Sequence, residues 1–453
     1  RPDPDPAAVA EHARLGDDPV LAARWLRVAA ARAAERFDHA TAEDLLDQSL
    51  ALVHDHETLV ARAQVRIRRG RYRDAEADVV AATEGGDHRW EVGAWAAYFD
   101  RRFDDALRYA DDGALAADDQ TRAGCLVASG RILHARGDLE QARAHLTRAM
   151  DAATGTERLE AAAWLGVLQA HRSRPDQAID LLRPITRAGV RADLTTAYLH
   201  ALLFTGHASA VAGRPAAALD CFARYGSEVA RRDVPRFAGR GANFSGWVLR
   251  NLGATDAGLD RHHEALAETV GGAIPEVAVS VLEDLADERI RAGDPDAAAG
   301  HLAQARTALH GALVFGWRLE MRWQLLSAQE RLLSGAPEEA LRIADGLRDA
   351  AVRSGVPRYD AAARLVSHRA RNALGEPVDL DVAERDLDGL EHAVKIEAWW
   401  WAGQLGADLG QPTWVERAER MAADLARAAG PHGDTLRAEA DRQLPAWKAL
   451  SER

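Results

Sequence analysis

The sequence predicts an all-α fold, an α-solenoid of stacked helical hairpins, on three observations. Small residues recur in register along the chain, glycines recur a fixed distance ahead of many of them, and no segment alternates polar and apolar residues as a half-buried strand would. Composition agrees, because isoleucine is scarce while Ala, Leu, Arg and Glu abound, which favours helix over strand.

The unit is clearest in GRILHARGDLEQARAHLTRAM, residues 130 to 150. Leu126, Gly130 and Leu133 stand four and three residues apart and so share a helical face. Gly137-Asp138 stops that helix, and Ala142, Leu146 and Ala149 mark the apolar face of a second. Gly130 and Ala142 carry so little side chain that two antiparallel backbones can approach closely there. One such hairpin cannot cover its own apolar face, so neighbours must.

The equivalents of Ala142 are Ala42, Ala75, Ala106, Ala178, Ala218, Gly258, Ala298 and Ala340, spaced by 31 to 42 residues. Twelve residues before each stands Ala30, Ala63, Ala94, Gly130, Gly166, Gly206, Gly246, Ala286 or Ala328, small every time. Five before the marker, a turn glycine is present as Gly70, Gly137, Gly213, Gly253, Gly293 and Gly335. The expected organisation is an N-terminal segment at 1–20, first repeats at 21–120, longer central repeats at 121–350, and degenerate repeats with a terminal cap at 351–453.

This pattern resembles the tetratricopeptide repeat, whose period is about 34 residues. The resemblance implies a right-handed superhelix whose concave side is lined by the first helix of each pair. The longer spacing, and AARWLRVAAARAAERFDHATAEDLLDQSLALV at 22–53, are similar to the sensor region of large ATP-binding LuxR-type (STAND-class) transcriptional regulators. The final LSER, 450 to 453, looks like the entry to a DNA-binding domain of that group. The resemblance implies a cytoplasmic bacterial regulator whose ATPase and DNA-binding domains lie outside this chain, with oligomerisation possible through that parent protein. The opening RPDPDP, without Met, fits a piece of a longer protein.

Charge and motifs narrow the function. The formal net charge is -13 and Lys395 and Lys448 are the two lysines, so the chain itself is not expected to bind nucleic acid. No apolar run is long enough to span a membrane. Cys125 and Cys221 read as buried small residues of a reduced compartment. Neither lysine follows a phosphate-binding loop, GRGANFSG at 239–246 lacks dinucleotide spacing, and no G-x-S-x-G elbow exists. His54, His56 and Glu57 lack a closed ligand set and read as a polar connector between repeats, and His262-His263-Glu264 lacks the H-E-x-x-H spacing of a metal site. Asp111-Asp112 and Asp118-Asp119 read as helix-end residues. No catalytic residue, metal or cofactor is expected. Trp399-Trp400-Trp401 points three rings in different directions, either into a terminal cap over residues 411–421 or onto a docking patch.

Counting from the small residue of each first helix places its inward positions six and three before it, and one, four and five after it. Around Gly246 these are Arg240, Asn243, Trp247, Arg250 and Asn251. His200 and His207 flank Gly206, while Ser280, Glu283, Asp287 and Arg291 flank Ala286. Arg131, His134 and His171 occupy such positions elsewhere. Arginine can grip a carboxylate or phosphate, asparagine a peptide backbone, and Trp247 offers a flat wall. These residues are therefore the candidate site for a protein, peptide or small-molecule effector, on a solvent-facing groove. The competing reading is that the arginines pair with Glu283 and Asp287 across the groove. At the level of the whole chain, a regulator's sensor region competes with a free-standing interaction scaffold and, more remotely, with an enzyme inside the superhelix.

Overall fold

The computed structural model of the chain describes residues 5–82, 88–115, 118–189, 194–232, 234–269 and 274–452. Among them the elements are α-helices and two 3-10 turns, with no strand. The fold is all-α, as the sequence predicts. No described helix is long and apolar enough to cross a membrane.

Two compact units divide the chain: Arg1–Trp164 with Ile185–Tyr198, and Leu165–Pro184 with Leu199–Arg453. In the first, α1 (Pro6–Leu15) precedes the hairpins α2 (Pro19–Glu35) with α3 (His39–Leu52), α4 (His56–Arg68) with α5 (Tyr72–Ala81), α6 (Arg89–Phe99) with α7 (Phe103–Gly113), and α8 (Asp119–Arg136) with α9 (Leu139–Ala152). Residues of α10 (Gly155–His171), α11 (Pro175–Ala188) and α12 (Thr195–Val211) fall in both units. The second unit continues through α13 (Pro215–Arg232), the 3-10 turn Pro235–Phe237, α14 (Arg240–Asn251), α15 (Thr255–Glu268), α16 (Pro275–Arg291) and α17 (Pro295–Ala308). It ends with α18 (Gly316–Leu333), α19 (Pro337–Ser354), α20 (Pro357–Ala373), α21 (Leu380–Ala393), α22 (Lys395–Asp408), α23 (Pro412–Ala428) and α24 (Gly433–Ser451).

Local chemistry sets where these helices begin. Proline occupies the first position of α2, α16, α17, α19, α20 and α23, where its missing N–H costs nothing. Aspartate caps several others: Asp38, Asp55 and Asp118 accept the N–H groups of Thr41, Thr58 and Thr121 at 3.1, 2.8 and 2.7 Å. Each such cap contributes about 1 kcal/mol. Asp118 thus caps α8, while Asp111 and Asp112 lie in the last turn of α7.

The seam between paired helices is where the repeat code acts. Ala42, Ala75, Ala106, Ala142, Ala178, Ala218, Ala298 and Ala340 are all fully buried, and Gly258 is buried with them. Opposite them, the glycines leave notches for large side chains. A Cβ added to Gly130 would stand 2.6 Å from Leu146 Cγ, one on Gly166 2.7 Å from Leu182 Cγ, and one on Gly246 2.5 Å from the His262 ring. Burying Leu146 or Leu182 completely in such a notch contributes about 1.5–3 kcal/mol. The turn glycines Gly70, Gly137, Gly213, Gly253, Gly293 and Gly335 all have φ between 71° and 98°. Phe37, Arg101 and Ser173 hold the same place in the three repeats without a glycine, at φ 65°, 63° and 56°. The backbone turn therefore repeats even where its usual residue does not.

In the second unit, helices far apart in sequence also meet. α14 touches α22 and α13 touches α23, while Gly253 packs on Thr435 and Glu439 of α24. The tryptophan triplet belongs to this closure: Trp399, Trp400 and Trp401 are all buried, and the first two rings lie 5.9 and 5.2 Å from that of Trp447 in α24. Gly403 makes room for that indole, since a Cβ there would stand 2.2 Å from it. The triplet is core packed against α24, so the docking-patch expectation fails. Cys125 is fully buried, Cys221 is half-buried, and no disulfide joins them.

Candidate functional site

The inner faces of α14, α16, α18, α20 and α22 converge on a buried charged network. Arg250 of α14 pairs with Asp287 of α16 and lies 3.8 Å from Asp284. Asp284, one turn before Asp287, also accepts from Arg322 at 2.5 Å and from the Asn243 amide at 2.8 Å. Asn251 donates to the Trp247 carbonyl at 2.9 Å and accepts from Arg291 at 2.9 Å, and Arg291 reaches Asp287 at 3.3 Å. The Trp247 indole donates across the unit to Glu397 of α22 at 2.8 Å, and Arg358 meets the same carboxylate oxygen at 2.5 Å.

This corrects the expected exposure. Asn243, Trp247, Arg250, Asn251, His200, His207, Glu283 and Asp287 are all buried. Counting along one helix locates its inner face but cannot show that later helices cover it, and Trp247 meeting Glu397, 150 residues away, does so. The placement also departs from the predicted cluster in three ways. Arg240 is half-buried and stands apart from the network, on the side where its charge acts on the Tyr225 hydroxyl. His200 sits among aromatic rings, 5.4 Å from Phe237 and 6.4 Å from Phe204. Arg250 pairs with Asp287 as the competing reading expected, but Glu283 does not join that pair; its nearest cation is Arg322, at 3.9 Å.

Burial and charge divide the carboxyls. Burial raises the Asp287 and Asp284 carboxyls, but neighbouring arginines outweigh it and leave both lowered. Glu283 makes no hydrogen bond through either oxygen, and burial raises it to about 8. His207, stacked 5.7 Å from Trp247, is held neutral, lowered to about 3 by burial and then by Arg358 and Arg318. His262 is lowered too, chiefly by burial. Sequence reasoning missed Asp284, His262, Arg318, Arg358 and Glu397. It also missed Arg322, although that residue stands six before Ala328 and obeys the same counting rule.

A second feature lies on the opposite side of α14. A cavity of about 870 Å³ opens between α13, the 3-10 turn, α14 and α15. Its walls include Phe222, Tyr225, Val229, Phe237 and Leu249, with Arg261, Glu264 and Glu268 along α15. The space follows from two local causes. At 12 residues α14 is shorter than α12 or α16, each 17, because the 3-10 turn and Gly239, at φ 73°, stand where its first turns would be. Its face toward the cavity carries Gly241, Ala242 and Ser245 where other first helices carry larger residues, such as Leu282 and Leu285 of α16. The polar groups along the rim are engaged: Arg261 donates to Glu264 at 2.5 Å, and Glu268 accepts the Gly239 N–H at 2.6 Å. Among the described residues, no group of three or more His, Cys, Asp or Glu is arranged to hold a metal.

No family model matches the chain, and no curated protein matches it. Solved structures similar to it include the Cut9–Hcn1 hetero-tetramer of the APC/C, at 10% identity over 96% of this chain and 98% of that one, with a TM-score of 0.36. Yeast Tom70 is similar at 12% identity over 94% and 96%, with a TM-score of 0.36. What the chain's own geometry defines is a tandem array of tetratricopeptide-like helical hairpins, by the buried small-residue seam and the left-handed turn that recur through it.

Proposed function

We propose that the chain is a non-catalytic, effector-binding repeat module, and that a small, largely apolar organic molecule occupies the cavity between α13 and α15. The observation that carries this is the double role of α14. One face of the helix forms the cavity floor through Gly241, Ala242, Ser245 and Leu249, and the other supplies Asn243, Trp247, Arg250 and Asn251 to the charged interior. The cavity has the size and apolar lining of small-molecule sites, and its titratable rim groups are engaged in contacts within the protein. A ligand that fits one position of α14 better than another shifts the interior pairing by that difference in affinity, and by no more.

In this reading the candidate residues Asn243, Trp247, Arg250, Asn251, Glu283 and Asp287 transmit the effector's binding and do not grip it. The module is the sensor region of a larger transcriptional regulator, a reading supported by the likeness of residues 22–53 to the first repeat of such regions. The test is native mass spectrometry of the chain from its own cells, beside Ser245→Phe, whose ring would project into the cavity. An adduct on the parent that is lost in a folded Ser245→Phe chain supports the proposal. An adduct retained by the variant, or none on the parent, overturns it, and co-purification of a stoichiometric protein favours the scaffold reading in its place.

A further inference from the structure

The interior network borders a second, much smaller cavity, of about 20 Å³, where α12, α14, α16, α18 and α20 meet. That is room for one water-sized species. Its lining is unusual for a space so small. Arg318, Arg322 and Arg358 all face it, against a single carboxylate, Asp284. That carboxylate is already taken by Arg322 at 2.5 Å and Asn243 at 2.8 Å. Arg358 is held by Glu397, which it shares with the Trp247 indole. Arg318 is the exception: its hydrogen bond is to the Ser280 hydroxyl at 3.4 Å, and among the described residues no carboxylate lies within ion-pair distance of it. A guanidinium has five N–H donors, so most of those on Arg318 have no strong acceptor.

His207 adds an independent sign. It is 8% exposed, lines the same cavity, and its Nδ1 has no hydrogen-bond partner. As a neutral ring it can present an N–H to an acceptor there. The lining of the cavity thus carries Arg318, Arg322 and Arg358 against the one charge of Asp284. Positive charge is in excess in this lining, and an anion there would offset it.

We propose that this cavity is a binding site for one small monovalent anion of halide size, held by Arg318, Arg322, Arg358 and the Ser280 hydroxyl, with His207 and Asn243 closing the site. The site is distinct from the α13–α15 cavity, and it is tested on the chain without an effector there.

The test uses the full chain prepared in sodium gluconate and titrated with sodium chloride at constant ionic strength. Thermal unfolding of the parent is expected to rise saturably by several degrees, as for any ligand bound only by the folded state. Arg318→Gln, which keeps a polar side chain without the charge, should lose most of that rise. A parent indifferent to chloride, an equal rise in Arg318→Gln, or protection by phosphate and not by chloride would each overturn the assignment. Should Arg318→Gln fail to fold, crystals of the parent grown in bromide decide the matter by anomalous scattering. A bromide peak beside Arg318 and Ser280 supports the site, and a cavity without one refutes it.

Discussion

The two units surround their buried charges differently. In the first, Glu43 of α3 is 1% exposed and is met by Arg66, Arg69 and Arg71 at 2.8, 2.5 and 2.5 Å, all from the next hairpin or its turn. Asp78 is met by Arg62 and Arg66, each at 2.7 Å. The cation–π contacts of Arg131 run the same way, to Tyr98 one repeat back and Trp164 one repeat on. Every one of these partners is a neighbour in sequence, and most carboxylates have a spare arginine. In the second unit the ion pairs also join adjacent repeats, but polar contacts cross non-adjacent ones as well, as the Trp247 indole of α14 does at Glu397 of α22. The lesson is that one repeat code serves two ends. Stacking needs only neighbours, whereas closing the inner face needs residues that no single repeat specifies.

The largest expected effect probes what the units share. Ala142→Trp and Ala340→Trp each force an indole into a fully buried seam, one in each unit. Both should lose about 3 kcal/mol in urea unfolding, the upper part of the range for overpacking. A mutant that unfolds at the parent's midpoint would mean that the marker is not the seam, and would break the comparison at its base.

The next effect separates them. Arg250→Ala leaves Asp287 with Arg291 at 3.3 Å and Asp284 with Arg322, so its cost falls at the lower end for breaking a buried pair, about 3 kcal/mol. Exchanging the charges, Arg250→Asp with Asp287→Arg, should recover part of it. Arg66→Ala in the first unit should cost no more than about 1 kcal/mol, since Arg62, Arg69 and Arg71 remain on its carboxylates. Equal losses from the two alanine variants would erase the distinction between the two units' pairing.

A pH series sharpens the same contrast. Glu283 carries its proton up to about pH 8 in the folded state, whereas an ordinary glutamate has lost it by about pH 5. Between these limits the native state binds more protons than the unfolded chain, so this residue makes stability fall as pH rises from about 4.5 to 8. Glu283→Gln removes that dependence. Its advantage over the parent should grow through the window and reach at least about 1.4 kcal/mol, the worth of one pKa unit, by pH 9. A constant offset between the two stability curves would show that Glu283 is ionised throughout. Glu43 is instead met by three arginines, so Glu43→Gln should lose stability at neutral pH, not gain it.

These contrasts also explain how much was legible beforehand. The helical hairpins, their register and their seam could be read because each depends on residues within one repeat, such as Gly130, Gly137 and Ala142. Asn243, Trp247, Arg250 and Asn251 do share one face of α14, since helical phase alone decides that. What covers that face was not legible, because Arg358 and Glu397 are brought there by the stacking of three and four further hairpins. The α13–α15 cavity was hidden for a related reason. Its small residues are visible in GRGANFSG, but the shortening of α14 that opens the space is a tertiary outcome.

The smallest effect tests whether the turn is fixed by its residue or by its repeat. Ser173 holds φ 56° at the place where six other repeats have glycine, and its N–H donates to the Ala170 carbonyl at 3.2 Å. A residue with a Cβ is strained there by about 1 kcal/mol or more, and glycine gives part of that back as extra freedom in the unfolded chain. Ser173→Gly should therefore gain about 0.5–1 kcal/mol, seen as a higher urea midpoint at unchanged slope. Gly137→Ser, the reverse change in the first unit, should lose a similar amount. If both variants lose stability, the Ser173 hydroxyl is doing something the backbone does not require. If they move in opposite directions, the stacked helices impose the left-handed turn on whichever residue stands there, and glycine only relieves the strain.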